Sequence, residues 1–363
     1  MLKTSAKEFL KENAPVEALR KLRDERSEQG YSQALWQEMA NLGWACLTIP
    51  EAYGGLDFGY VGLGQILEET GRTLTASPLI ATVLAGTTAI NLAGNVMQKE
   101  ALLPAIAAGE LTLTLATEET SRHNPKQVAT TATSQDGGYV LNGAKTFVLD
   151  GHVADKLVVA AQTTNGLSLF LVDANSEGVS RERVVMMDSR NMAKIQFNDV
   201  KVAADALLGA EGEAAPVLEK VGSIAQIGLS AEMLGTMIEA FERTIAYLQE
   251  RRQFGVSIGS FQALQHRAAQ TFCEIELCKS LVIQSLQAID KDAKNLTMLA
   301  SMTKAKVGKT LQLVTNEGVQ MFGGIGMTDD EEIGFFLKRA RVAEQTFGDS
   351  NYHLDRFARL NGY

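Results

Sequence analysis

Cysteine is scarce in this 363-residue chain. Cys46, Cys273 and Cys278 are the full complement, too few for a disulfide framework, and with no histidine at ligand spacing they form no metal motif. A reducing, cytoplasmic setting is the expectation. Basic residues are the minority: 34 Lys and Arg against 43 Asp and Glu leave a net charge of −9, which argues against a nucleic-acid partner. The deficit does not exclude a phosphorylated cofactor, because a few local arginines and helix N-termini can hold one. Long apolar runs are missing too. The N-terminal residues have no signal-peptide core, and no uninterrupted stretch nears the ~20 residues that span a bilayer. Proline is rare, six in all, which leaves room for long unbroken helices.

What is present is ordinary globular material, 45% hydrophobic and 21% charged, and the length suits two or three packed domains. The first third reads helical. Leu35, Met39 and Leu42 recur at helical spacing, with Gly43 as a stop. The run Trp44 to Pro50 reads as extended and leads into a turn-rich Pro50–Gly55 loop. Near Glu110 the period changes. Leu111 to Thr117 alternates, and Tyr139 to Leu149 reads as a hairpin turning at Asn142-Gly143. Further strands are expected at 157–162, 167–173, 183–187 and 193–202. From about residue 213 long helical patterns return at 217–251, 262–291 and 294–321, followed by two shorter ones. The expected organisation is mainly α with a central β domain: helices over 1–111, a small β-barrel or sandwich over 112–210, and a helical bundle over 211–363.

Two stretches carry candidate chemistry. In Tyr247-Leu-Gln-Glu-Arg-Arg-Gln-Phe-Gly255, followed by Phe261-Gln-Ala-Leu-Gln-His266, a long helix ends in a basic cluster. Arg251 and Arg252 are placed to hold a phosphate, although arginines at a helix C-terminus also simply complement its dipole. In Gly318-Val-Gln-Met-Phe-Gly-Gly-Ile-Gly-Met-Thr328, Gln320 ends a helix and the glycines allow close backbone approach to a ligand. Alone, that cluster reads by default as a helix cap with a tight turn.

Taken together, these runs resemble the acyl-CoA dehydrogenase family. So do Trp36-Gln-Glu-Met-Ala-Asn-Leu-Gly43, Ile49-Pro-Glu-Ala-Tyr-Gly-Gly55, Glu68-Glu-Thr-Gly71 and Tyr139-Val-Leu-Asn-Gly-Ala-Lys145, in order along essentially the whole chain. The resemblance implies an N-terminal helical domain, a central β-barrel and a C-terminal four-helix bundle. It also implies FAD, a tetramer built as a dimer of dimers, an acyl-CoA substrate and electron-transfer flavoprotein as acceptor. It places Leu115 and Thr117 on a strand beside the flavin and Phe147 and Leu149 on the next flavin-facing strand. Arg251, Gln253 and Phe254 would reach FAD bound mainly by a neighbouring subunit, and Gln320, Gly323 and Gly324 would line its adenosine and diphosphate end.

The family's α,β-dehydrogenation needs a carboxylate base, usually a glutamate before the glycine of the loop preceding the last helix. Here that loop is Gln345-Thr-Phe-Gly-Asp-Ser350, and Phe347 occupies the place. The alternative position, on the long helix near Ala225, has no carboxylate either. The resemblance leaves Phe347 its backbone N–H, which would polarise the thioester carbonyl. Asp349 is the nearest replacement base, although it lies two residues beyond the usual position and fits better as an N-cap for the last helix. Glu232, further along the long helix, reads as structural, and His353 as part of the last helix. Thr117-Glu-Glu-Thr-Ser-Arg-His-Asn-Pro125 departs from the family's Thr-Glu-Pro pattern, with Arg122 and His123 replacing small residues near the flavin diphosphate. Leu149 replaces a hydroxyl residue. Three functions stay open: a dehydrogenase with a displaced base, a subunit that pairs with an active homologue, and a monooxygenase or nitroalkane-oxidase chemistry on the same scaffold.

Overall fold

The computed structural model describes residues 2–363. Six helices come first: α1 (Leu2–Asn13), α2 (Val16–Asp24), α3 (Gln33–Asn41), α4 (Gly59–Arg72), α5 (Thr87–Ala93) and α6 (Val96–Ala107). Strands follow: β1 (Leu113–Ala116), β2 (Thr131–Gln135), β3 (Gly138–Leu149), β4 (Lys156–Thr163), β5 (Gly166–Asp173), β6 (Val179–Val185), β7 (Asn191–Ala203) and β8 (Leu207–Leu208). The C-terminal part holds α7 (Ala214–Glu250), a small hairpin β9 (Arg252–Gln253) and β10 (Val256–Ser257), then α8 (Gln262–Asp290), α9 (Leu296–Phe322), α10 (Ile333–Gln345) and α11 (Ser350–Leu360). By contacts the chain divides into two units. One joins residues 25–63 and 76–225; the other joins residues up to 24, 64–75 and 226–363.

The first unit is built on one sheet of order β6-β7-β3-β2-β4-β5-β8, with β1 pairing parallel to β4. β4 is buried on both faces. Val158 and Ala160 pack into a core with Ile49, Leu103, Ile106 and Leu113, while Leu157, Val159 and Ala161 pack with Phe170, Ile195 and Phe197. A strand covered on both sides has no polar alternation, hence its unbroken apolar run. On the helical side, Asn95 and Gln98 form a capping box that starts α6. The Trp36 indole N–H donates to Gly109 O at 3.0 Å and ties α3 to the end of α6.

Two expectations are corrected. The chain does not turn at Asn142-Gly143. β3 runs straight through, and the β2–β3 turn lies at Asp136-Gly137, both with positive φ. Asn142 instead donates to Asp199 across to β7 at 2.9 Å, and Gly143 sits at a register shift where a side chain would strike Thr130. The Trp44–Pro50 run is not extended: Trp44–Cys46 forms a 3-10 turn. An apolar run this short cannot distinguish a strand from a buried helical turn. α7 is long and apolar enough to cross a membrane by length and composition, and 94% of its most apolar stretch is buried, as in a core helix.

The second unit centres on α9, which α8, α10 and α11 all contact. α4 and α7 cross with backbones nearly touching: a Cβ on Gly71 would lie 1.9 Å from Glu232 O, and one on Gly235 would lie 1.7 Å from Glu68 O. Beside this crossing the buried Arg339 donates to Glu232 at 3.0 Å and to Leu74 O at 3.4 Å. Arg20 and Arg23 of α2 grip Asp329 and stack over Phe335. The hydrogen bond from Arg23 holds the Asp329 carboxyl down to about 2.

Candidate functional site

In the sheet unit, β1 and the end of β3 are stitched together. Thr146 N donates to Glu118 O at 2.8 Å, and the Thr114 hydroxyl to Leu149 O at 2.6 Å. This brings Leu115 and Thr117 beside Phe147 and Leu149. A bulge between Lys145 and Val148 gives Phe147 a φ of 50° and leaves it 39% exposed, whereas Leu149 is buried. Upstream, Thr82 on a buried π-helical turn (Leu79–Gly86) fixes β1 by donating to Leu113 O and accepting from Leu113 N.

The Thr117–Pro125 stretch is folded back on two carboxylates. Glu118 accepts from the His123 ring at 2.6 Å, with that ring nitrogen as donor, and from Asn124 N at 3.2 Å. Glu119 accepts from Lys145 at 2.6 Å, from Thr130 N and Oγ1, and from Ala129 N. Burial alone would raise Glu119, but Lys145 and these other donors hold it below the usual carboxylate value. The ion pair with Lys145 was not legible in the sequence. Lys145 was visible only as part of a family motif, and nothing in the spacing links it to Glu119.

In the other unit, α7 and α9 end side by side. Tyr247 stacks on Phe322 at 4.3 Å, over a small core of Leu248, Ile258 and Met321. That packing brings the arginine-ended segment next to the glycine bend. Arg251, Gln253 and Phe254 are exposed, Phe254 by 90% at a φ of 55° on the β9–β10 hairpin. Gln320, Gly323 and Gly324 are exposed as well, and a Cβ on either glycine would meet nothing within 4 Å.

The loop between α10 and α11 belongs to the same unit. Phe347 has a φ of 59° and is half-buried. Its carbonyl accepts from His353 Nε2 at 2.9 Å and from Gln226 at 3.4 Å, while its N–H donates to no acceptor among the described residues. Asp349 is the N-cap of α11, its Oδ1 accepting from Tyr352 N at 2.7 Å. Ala225 is fully buried, and Glu232 is committed to Arg339. Asp349→Asn keeps an acceptor at the cap and should leave stability nearly unchanged. Asp349→Ala should lower it by about 1 kcal/mol. Denaturant unfolding of both variants checks this, and the Asn variant also separates capping from any role as a base.

Two contributors escaped the sequence reading. Glu344, buried, accepts from Ser350 N at 2.8 Å, and Lys304, fully buried, donates to the carbonyls of Glu344 and Gly348. The signal for Lys304 was its register: it stands in the apolar stripe Ala300, Val307, Leu311, Val314 of α9.

For FAD, the residues fit best at the diphosphate and adenosine end. There an exposed arginine supplies a cation and the open glycine backbone supplies room. Along the sheet, Phe147 supplies an exposed aromatic face, while Leu149 brings no polar side-chain contact.

Comparison with known proteins agrees with this layout. Family models match for the acyl-CoA dehydrogenase N-terminal domain over residues 1–110, the middle domain over 114–200 and the C-terminal domain over 223–360. A mitochondrial isovaleryl-CoA dehydrogenase from Pongo abelii is 29% identical over 87% of this chain and 77% of its own length. Among solved structures, a variant of the Tcur3481-Tcur3483 steroid ACAD is 30% identical at a TM-score of 0.90, covering 99% of this chain and 96% of that one. The ChsE4-ChsE5 complex from Mycobacterium tuberculosis is 25% identical at a TM-score of 0.90, covering 100% and 96%. With three domain models matched in order along its length and the helix–sheet–helix architecture that goes with them, the chain belongs to the acyl-CoA dehydrogenase family.

Proposed function

We propose that this chain binds FAD and an acyl-CoA thioester but leaves proton abstraction to a second, homologous subunit in a mixed oligomer. The observation that carries this reading is the state of the carboxylates. Asp349 is spent on the α11 cap and Glu232 is locked in a buried ion pair, and by the family resemblance Phe347 takes the place of the usual glutamate. Two of the similar solved structures carry names that pair two gene products, one a steroid ACAD and one described as a complex.

When bound, FAD supplies the hydride acceptor for α,β-dehydrogenation. This chain's own residues do the rest of the work on its side. The Phe347 N–H donates to the thioester oxygen, stabilising the negative charge that develops there as the α-proton leaves. The phenyl ring excludes water but takes no proton. Arg251, Gln253 and Phe254, with Gln320, Gly323 and Gly324, would hold the diphosphate and adenosine of a dinucleotide bound mainly by a neighbouring protomer. Electron-transfer flavoprotein is the proposed acceptor. The substrate is an acyl-CoA, fatty or steroid.

Co-expression with a homologue that carries the loop glutamate should give a mixed oligomer active on acyl-CoA, with little activity in either homomer. Purification of a fully active homomer of this chain would refute the reading.

A further inference from the structure

The arch at Phe347 stands on a buried lysine. Lys304 lies in the apolar stripe of α9 and is fully buried, yet both of its acceptors are backbone carbonyls rather than carboxylates. Its Nζ donates to Glu344 O at 2.8 Å and to Gly348 O at 2.9 Å, one at the last turn of α10 and the other just before the cap of α11. Burial pulls its ammonium down to about 7 against the opposing fields of Glu344 and Asp349. A methionine would fill a similar volume without desolvating a charge, so packing alone does not account for lysine here.

The rest of the arch is braced around this tie. Gly348 N donates to Gln345 O at 3.2 Å, while the carbonyl of the same peptide accepts from His353 and Gln226. Ser350 N donates to Glu344 Oε1 at 2.8 Å. With the 347–348 peptide pinned on both edges, Phe347 is held at a φ of 59°, a conformation that L residues seldom adopt unsupported. The N–H left over is the one with no acceptor.

We propose that Lys304 is a positioning residue for ligand binding: by tying the carbonyls of Glu344 and Gly348, it holds the arch in the shape that opens the Phe347 N–H to a thioester carbonyl. This rests on the reading that the arch meets an acyl-CoA. A thioester oxygen accepts the N–H, whereas a thioether analogue, with CH₂ in place of C=O, cannot. Lys304 itself never touches the ligand, so its removal should erase the preference for a carbonyl without weakening the rest of the grip.

The test is calorimetric titration of the FAD-loaded protein with a non-reactive acyl-CoA thioester and with its thioether analogue. Wild type should bind the thioester about 5- to 10-fold more tightly, the worth of one hydrogen bond. In Lys304→Met that ratio should fall to within about 2-fold of unity, the loss of that one bond, with thioether affinity unchanged. A variant that keeps the wild-type ratio overturns the inference alone. Wild type that binds neither ligand removes the acyl-CoA reading and the inference with it. Should the Met variant not fold, Lys304→Gln, which is shorter and spans the two carbonyls less well, should show an intermediate ratio; a full wild-type ratio there counts against the assignment.

Discussion

Phe347→Glu should turn this chain into a self-sufficient dehydrogenase, with acyl-CoA-driven flavin reduction rising by about 10²- to 10⁴-fold over wild type, the usual contribution of a general base. The backbone is already prepared for it. Phe347 sits at a φ of 59°, followed by Gly348 at a φ of 100°, so glutamate there carries no more backbone strain than phenylalanine. The brace of Lys304, His353 and Gln226 grips main-chain carbonyls, and none of it depends on the 347 side chain. Anaerobic stopped-flow bleaching of the visible flavin band is the measurement. A Phe347→Glu protein that binds acyl-CoA but bleaches no faster than wild type would mean that the missing carboxylate is not what limits this loop.

The largest loss of stability should come from the α4–α7 crossing. In Gly235→Ala the added Cβ falls 1.7 Å from Glu68 O, and in Gly71→Ala 1.9 Å from Glu232 O. Both obstacles are helix backbone, so relief requires the helices to part, which disturbs the Glu232–Arg339 ion pair at the same place. Each substitution should cost more than about 4 kcal/mol, the range of severe core disruption, and a marginally stable domain has ~5–15 kcal/mol in all. Gly334, also helical but with nothing within 4 Å of a Cβ, serves as the control. Gly334→Ala should be neutral or stabilising by up to about 1 kcal/mol. Equilibrium denaturant unfolding of the three variants distinguishes them, and equal stability of Gly235→Ala and Gly334→Ala would show that the crossing is slack.

Much of the architecture was legible because it rests on local periodicity. The nearly breaker-free run that becomes α7 and the shift to alternating strands after Glu110 are written in the spacing of apolar residues. The β2–β3 turn was misplaced because two dipeptides, Asp136-Gly137 and Asn142-Gly143, carry the same hairpin signal. The choice between them is made by pairing with β7, distant in sequence, which keeps β3 extended through residue 143. At the candidate site, residue identity was enough to see that Phe347 cannot act as a base and that Asp349 suits a cap. It was not enough to see Lys304 and Glu344 beneath the arch or Lys145 against Glu119. Those contacts join residues 26 to 44 positions apart, and no local pattern announces such a pairing.

The most direct test is an anaerobic titration of the homomeric, FAD-loaded chain with acyl-CoA thioesters. A flavin band that shifts as the thioester binds yet stays oxidised is the predicted outcome: a ligand held by an arch with no base to deprotonate it. Rapid, stoichiometric bleaching by this chain alone would show that it carries its own carboxylate to the α-proton, and the division of labour proposed here would be wrong.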